Sequence, residues 1–178
     1  VSNIAIGSYA LDAIGTTAQT GVIAIGHQAL SGATSGVRNL SIGYQALRLL
    51  ETGDDNIAIG GNALDACDGT ESRNIAIGNG TMGAMDEGGG ACNDNIAIGN
   101  TAMTSGTAAT FSGNIAIGSD AMTSTGGADI TGTVAIGYEA LTSLNTGAGN
   151  TAVGYSSQRA MVGGAYNTSL GYNCLDSD

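Results

Sequence analysis

The sequence predicts an all-β protein, a parallel β-solenoid or β-roll of about ten coils of 17–21 residues, with short helical turns in some connections. Three observations predict it. A nine-residue phrase returns ten times, its central glycines are 17 to 21 residues apart, and the three residues before each glycine are large, small and large. The phrase runs from Asn3 to Leu175 without a break in composition, so residues 1–178 form one repeat domain.

The glycine slot is the most constant position of the phrase. It is filled in all ten repeats, by Gly7, Gly26, Gly43, Gly60, Gly78, Gly99, Gly118, Gly137, Gly154 and Gly171. Only a backbone with positive φ, or one with a very close neighbour, requires glycine so consistently. We expect these ten residues to hold the structural repeat in place.

The three residues before each glycine read as a strand with two unlike faces, as in Ile57-Ala58-Ile59. We expect the branched side chains to fill the interior of each coil. The small face would then point outward and let another backbone approach, which suggests a second copy of the chain. The candidate interface residues are Ala58, Ala76, Ala97, Ala116 and Ala135.

Asparagine opens the strand in eight repeats, and Val22 and Thr133 are the exceptions. Stacked asparagine amides can hydrogen-bond along the axis of a solenoid, and asparagine also tolerates turn backbone. The sequence therefore predicts an asparagine ladder at Asn3, Asn39, Asn56, Asn74, Asn95, Asn114, Asn150 and Asn167.

A small residue followed by Leu or Met closes the phrase and gives each coil a second apolar anchor, as in Ala46-Leu47. Gln158 is the one polar residue in that Leu slot. The segment from 45 to 51, which ends at Gly53, has the composition of one or two helical turns with a glycine stop. We therefore expect helical character in part of the connections.

Composition favours a repetitive rod over an ordinary globule. The chain has 31 Gly, no Pro or Trp and only 4% aromatic residues, so its core must be aliphatic and thin. Ten coils at about 4.8 Å each give a rod of about 50 Å, and we expect the chain to be a segment of a longer fibre.

Net charge narrows the range of partners. A charge of −11 disfavours nucleic acid and anionic membranes. No apolar run approaches the roughly 18 residues of a membrane span, so we expect no membrane insertion.

The acidic loops have two interpretations. They either bind calcium or only form a charged, soluble surface. The candidates are Asp54 with Asp55, Asp65 with Asp68 and Glu71, and Asp86 and Glu87 with Asp94. None matches a known calcium loop, and we expect no cofactor. Cys67 and Cys92 lie in consecutive connections, so the sequence is compatible either with a disulfide between them or with two thiols.

No motif for catalysis is present, and we expect a non-enzymatic protein without catalytic or metal-binding residues. His27 is the single histidine and occupies a slot where other repeats carry Ser, Gly, Asn or Tyr, so it reads as a surface residue. The string from Ile25 to Leu30 is similar to one unit of the hexapeptide acyltransferases, but each coil holds only one such unit. An ice-binding solenoid is also disfavoured, because Thr151 and Thr168 are the only adjacent outward threonines.

The phrase Asn95-Ile96-Ala97-Ile98-Gly99 resembles the head repeats of trimeric autotransporter adhesins, and Asn150-Thr151-Ala152-Val153-Gly154-Tyr155 is similar to bacteriophage tail-fibre repeats. The resemblance implies a homotrimeric fibre or head, on a virion or outside a bacterium, used for attachment. The longer repeats favour the phage fibre, while phage and bacterial surface both stay open.

The receptor contacts expected for such a module are the tyrosines that follow glycine, Tyr138, Tyr155 and Tyr172, on three successive coils. Aromatic rings suit glycans and are ordered at low entropic cost, so a host-surface glycan is the expected ligand. The alternatives are a tyrosine ladder that only stabilises neighbouring coils, and a passive structural or capsid-decoration filament without a receptor.

Overall fold

The structure is a computed structural model that describes residues 2–13, 19–67, 69–84, 92–104, 110–123 and 129–176. It confirms the predicted all-β parallel solenoid. Each repeat contributes one three-residue strand to a ten-stranded parallel sheet, and consecutive repeats are neighbours in that sheet. The described ranges contain strands, turns and bends but no helix.

The ten strands of the main sheet are short and evenly spaced along the chain. They are β1 (Ile4–Ile6), β2 (Ile23–Ile25), β3 (Leu40–Ile42), β4 (Ile57–Ile59), β5 (Ile75–Ile77), β7 (Ile96–Ile98), β9 (Ile115–Ile117), β11 (Val134–Ile136), β12 (Thr151–Val153) and β13 (Thr168–Leu170). A second parallel sheet joins β6 (Cys92–Asn93), β8 (Phe111–Ser112) and β10 (Ile130–Thr131).

The pairing of the main sheet is in register from one repeat to the next. Ala76 lies opposite Ala97, and Ala97 lies opposite Ala116. Equivalent residues of successive repeats therefore form columns that run along the solenoid axis. Every chemical property of a slot in the phrase becomes a property of one column.

The column of glycines is required both by conformation and by space. Gly99 has a φ of +143°, and a Cβ built on it would lie 2.3 Å from the carbonyl oxygen of Gly118 in the next coil. The other nine glycines of the slot share this positive φ. Glycine is invariant here because successive coils approach each other backbone to backbone.

The prediction of which strand face points inward is wrong. The middle residue of the strand is the buried one, and Ala58, Ala76, Ala97, Ala116 and Ala135 have no exposed surface in a single chain. The flanking Ile, Leu and Val side chains lie on the outer face and are half-buried or exposed. The five alanines therefore cannot contact a second copy.

The alanines point inward because the opposite wall already fills a narrow interior. Ser41, in the alanine slot, donates a hydrogen bond from Oγ to the carbonyl oxygen of Ala46 at 2.7 Å, so the strand directly faces the closing turn of its own coil. The next residue, Leu47, is fully buried. Large residues on both walls would overfill this space.

The connection after each glycine is a left-handed turn and not the predicted helix. Gln45 has a φ of +56° and Leu47 a φ of +50°, values that a right-handed α-helix excludes. The same alternation recurs at Gln28 and Leu30. In seven of the ten repeats it turns the Leu or Met into the core, namely Leu30, Leu47, Leu64, Met82, Met103, Met122 and Leu141.

The second sheet lies directly before the asparagine slot in three successive coils and adds buried residues to the core. Phe111 and Ile130 are buried and pair in register. Cys92 lies in the same column and is buried, as are Cys67 and the carboxylate-bearing Glu71. The interior is thin and mainly aliphatic, as its composition predicted.

The asparagine ladder is confirmed from Asn39 to Asn114, and Asn150 and Asn167 form a separate pair beyond Thr133. Asn95 Nδ2 donates to Asn74 Oδ1 at 3.1 Å, and Asn114 Nδ2 donates to Asn95 Oδ1 at 3.2 Å. The second proton of Asn95 Nδ2 is donated to the Phe111 carbonyl at 2.8 Å. These amides have no exposed surface, so the ladder satisfies buried backbone groups as well as its own side chains.

Candidate attachment surface

One column on the outside of the solenoid carries most of the exposed aromatic residues. It consists of the residue directly after each invariant glycine, and we call it the aromatic column. From the first repeat to the last it reads Ser8, His27, Tyr44, Gly61, Asn79, Asn100, Ser119, Tyr138, Tyr155 and Tyr172. Rings therefore occupy the second, third and last three positions of this column, and small or polar residues occupy the four positions between the two groups.

The three tyrosines predicted as receptor contacts stack on one another. The ring centroids of Tyr138 and Tyr155 are 5.1 Å apart, and those of Tyr155 and Tyr172 are 5.4 Å apart, with interplanar angles of 22° and 18°. Both faces of the Tyr155 ring are thus covered by neighbouring rings. Their outer edges remain exposed to solvent.

Tyr138, the first ring of this stack, is held by a neighbouring carboxylate. Its hydroxyl group is hydrogen-bonded to Glu139, and this bond, together with the negative charge of Glu139, raises the pKa of Tyr138 above its usual value. The side chain of Glu139 therefore contributes a negative charge at the edge of the stack.

A second group of rings lies near the first repeats. His27 and Tyr44 are stacked, with centroids 5.3 Å apart and an interplanar angle of 9°, and Tyr9 meets His27 edge to face at 6.0 Å. His27 is exposed, as the sequence predicted, but it is also one rung of an aromatic stack. The middle of the column, Gly61 to Ser119, separates the two groups.

The outer face of the main sheet is a second feature, next to the aromatic column. It carries two columns of side chains, from the first and third residues of each strand. Of these 20 positions 18 are aliphatic, and the two exceptions are Thr151 and Thr168, the first residues of the last two strands. Ile98 and Ile117, near the middle of the rod, are 37% and 36% exposed. This sheet face is continuous and largely uncharged.

A column of ion pairs is formed by the charged residues that directly precede the ladder asparagines. Arg38 donates to both carboxylate oxygens of Asp55 at 2.5 and 2.7 Å, and Arg73 does the same to Asp94 at 2.5 and 2.9 Å. The hydrogen bond from Arg38 lowers the pKa of Asp55, and that from Arg73 lowers the pKa of Asp94. Sequence reasoning missed this ladder, although Arg and Asp alternate directly before four successive asparagines.

Three of the carboxylates that the sequence suggested as calcium ligands make protein contacts instead. Asp55 and Asp94 are ion-paired, and Asp54 Oδ1 accepts a hydrogen bond from the Val37 backbone N–H at 2.8 Å. Asp68, Asp86 and Glu87 lie outside the described residues. Over the ranges that the structure does describe, no three His, Cys, Asp or Glu side chains are grouped so as to hold a metal ion.

No family model, no curated protein and no solved structure matches this chain. Within the described ranges no helix is long and apolar enough to span a membrane. Function must therefore be argued from the surfaces described above.

Proposed function

We propose that this chain is a non-enzymatic structural and attachment module, in which copies associate through the outer sheet face into a homotrimeric fibre or head. The module would belong to a phage tail fibre or to a bacterial surface adhesin, outside the cell, and bind a host glycan. The number of copies and the location come from the resemblance of the repeats, and the association comes from the surface of the fold.

The observation that carries the proposal is the aliphatic outer face of the main sheet. Ten strands at about 4.8 Å spacing give this face a length of about 45 Å, with two aliphatic columns across it. Monomeric proteins rarely leave a continuous apolar patch larger than a few hundred Å² in water. The face is therefore best explained as the surface that a second and third copy cover.

This assignment replaces the alanine column with the two aliphatic columns as the interface. The alanines keep a role, because their small size makes the coil thin enough for Leu and Met to close it from the other side. The branched side chains that were expected in the core are then available for association. The buried centre of homo-oligomer interfaces is more apolar than the rest of the protein surface.

A passive filament without a receptor is the second candidate, and one observation favours it. The rings of Tyr138, Tyr155 and Tyr172 cover one another's faces, so this stack also stabilises adjacent coils. The attachment role thus needs ring faces that lie outside the stack.

The test of association is the native mass of the variant Ile98→Lys. Ile98 lies in the middle of the outer face and is 37% exposed, so the substitution is tolerated by the coil but places a charge in the interface. Leu49→Lys is the matched control, because Leu49 is also 37% exposed but lies in a connection, away from the sheet.

Light scattering coupled to size exclusion measures the outcome. We expect the wild type and Leu49→Lys to have three times the 17.3-kDa chain mass, and Ile98→Lys to be monomeric at low micromolar concentration. A monomeric wild type, or an Ile98→Lys variant with unchanged mass, would contradict the proposed interface.

A further inference from the structure

We infer that the middle of the aromatic column is a binding notch for a neutral linear oligosaccharide, which lies along the solenoid axis between the ring faces of Tyr44 and Tyr138. The inference rests on the attachment role proposed above and gives it a ligand class and a position. It differs from the expectation that the stacked tyrosines themselves receive the ligand.

A ligand can stack only on a ring face that no neighbouring ring covers. Each ring in a stack loses a face to each neighbouring ring, so an open face exists only where the next rung has no ring. Tyr44 is covered by His27 on one side, and the next rung on its other side is Gly61. Tyr138 is covered by Tyr155, and the preceding rung is Ser119.

These two open faces look toward each other along the axis. Five coil steps separate Tyr44 from Tyr138, a distance of about 24 Å at about 4.8 Å a step. Four rungs without rings lie between them. The result is a notch with an aromatic wall at each end, long enough for a trisaccharide between the two rings.

The floor of the notch carries hydrogen-bonding groups. Asn79 and Asn100 are exposed, and the Ser119 hydroxyl group lies at the Tyr138 end. Asn79 leans over Gly61, because its Nδ2 atom is 2.9 Å from the position that a Cβ on Gly61 would occupy. Amides and hydroxyls between aromatic platforms match a ligand with apolar ring faces and many hydroxyl groups.

Charge around the notch selects a neutral ligand. Asp120 and Glu139 lie beside Ser119 and Tyr138, and the negative charges of both contribute to the raised pKa of Tyr138. The chain as a whole carries a net charge of −11. Sugars with carboxylate or sulfate groups would be repelled, whereas neutral hexoses and N-acetylhexosamines would not.

The decisive variant is Ser119→Tyr, which extends the tyrosine stack by one rung and covers the open face of Tyr138. The fold tolerates tyrosine in this slot at four other repeats, so the solenoid should remain intact. Tyr44→Ala removes the opposite wall. Tyr172→Ala is the matched control, since it removes an exposed ring of the same column that lies away from the notch.

Binding is measured by saturation-transfer NMR and calorimetry with cellotriose, maltotriose and chitotriose, and with an alginate trimer as the acidic comparison. We expect at least one neutral trisaccharide to bind the wild type. Ser119→Tyr should abolish binding, Tyr44→Ala should weaken it by about three- to tenfold, and Tyr172→Ala should leave it within about twofold.

Native mass, recorded on the same samples, separates this inference from the proposed function. A wild type that assembles but binds no neutral trisaccharide overturns the notch and leaves the interface standing, and this includes the case in which assembly covers the notch. Equal loss of binding in Tyr172→Ala and Ser119→Tyr, or stronger binding of the alginate trimer, also overturns it. Binding by a protein that does not assemble would refute the interface alone.

Discussion

Removal of one asparagine from the buried ladder tests whether the ladder holds the coils together. In Asn95→Ala the lost side chain is one that donates to Asn74 Oδ1 at 3.1 Å and to the Phe111 carbonyl at 2.8 Å. Its Oδ1 atom also accepts from the backbone N–H and the Nδ2 group of Asn114 at 3.0 and 3.2 Å. The variant thus loses four hydrogen bonds in a site without solvent.

The expected loss of unfolding free energy follows from the buried polar groups that the substitution leaves without a partner. The Phe111 carbonyl and the Asn114 backbone N–H both lose their ladder partner while they remain buried. Each such group costs about 1–3 kcal/mol, so Asn95→Ala should lower the free energy of unfolding by about 4 kcal/mol.

A matched control exists in the same column. Thr133 occupies the asparagine slot and is fully buried, but its hydroxyl group contacts only the Thr131 carbonyl of its own coil, at a long 3.4 Å. Thr133→Ala is therefore an equally buried truncation without the loss of bonds between coils. We expect it to cost less than about 1 kcal/mol.

The assay is urea unfolding followed by far-UV circular dichroism at one fixed protomer concentration, because association adds to apparent stability. Hydrogen exchange at the Asn114 amide gives a local readout, which should lose protection in Asn95→Ala only. The reasoning would be refuted if the two variants lost the same free energy of unfolding within about 0.5 kcal/mol. It would also be refuted if the Asn114 amide of Asn95→Ala were as protected as in the wild type.

Two further predictions concern the core and the charges. Gln158 is fully buried in the Leu slot and its Oε1 atom has no hydrogen-bond partner among the described residues, so Gln158→Leu should raise the free energy of unfolding by about 1 kcal/mol in the same urea assay. A loss of stability would show that the bond from Gln158 to Ser169 outweighs the orphaned oxygen. Because Arg38 lowers the pKa of Asp55, the ion pair stabilises the fold above the ordinary carboxyl range and this contribution disappears as pH falls through the lowered pKa. Asp55→Asn should therefore be less stable than wild type at pH 7, by a difference that shrinks as pH falls through the lowered pKa, and a difference that is unchanged both at low pH and in 1 M salt would contradict an electrostatic origin.

The features that were predicted from the sequence are those that the repeat itself displays. Invariance of the glycine slot predicted the positive φ and the close backbone approach, which Gly99 and Gly118 illustrate. The asparagine slot predicted a ladder, and the alternation of large and small residues predicted strands. Each follows from one slot and its equivalents in other coils.

The choice of inner and outer face did not follow from the same pattern. A period of two separates the residues of Ile96-Ala97-Ile98 into two sets, but it does not say which set is inside. That depends on the width of the coil, which is set by the opposite wall, where Met103 is buried. The left-handed turn that places Met103 there reads like a helical segment in sequence, because its Ala and Met are good helix formers.

The candidate site was predicted in part for a related reason. The slot after glycine showed that Tyr138, Tyr155 and Tyr172 lie on successive coils. Their rings were expected to offer faces to a ligand, whereas stacking closes those faces and leaves the open ones at the rungs next to Gly61 and Ser119. Ring orientation depends on side-chain geometry that the repeat pattern does not contain.

In-register pairing has a consequence for how such a chain can change. Because each strand aligns with the equivalent residues of its neighbour, removal or duplication of one whole repeat rejoins surfaces of the same kind, as Ala76 on Ala97 and Ala97 on Ala116 show. Length can thus vary in steps of one coil without a new core. The exposed residues of the outer columns can be substituted one coil at a time, so binding specificity and rod length can evolve independently.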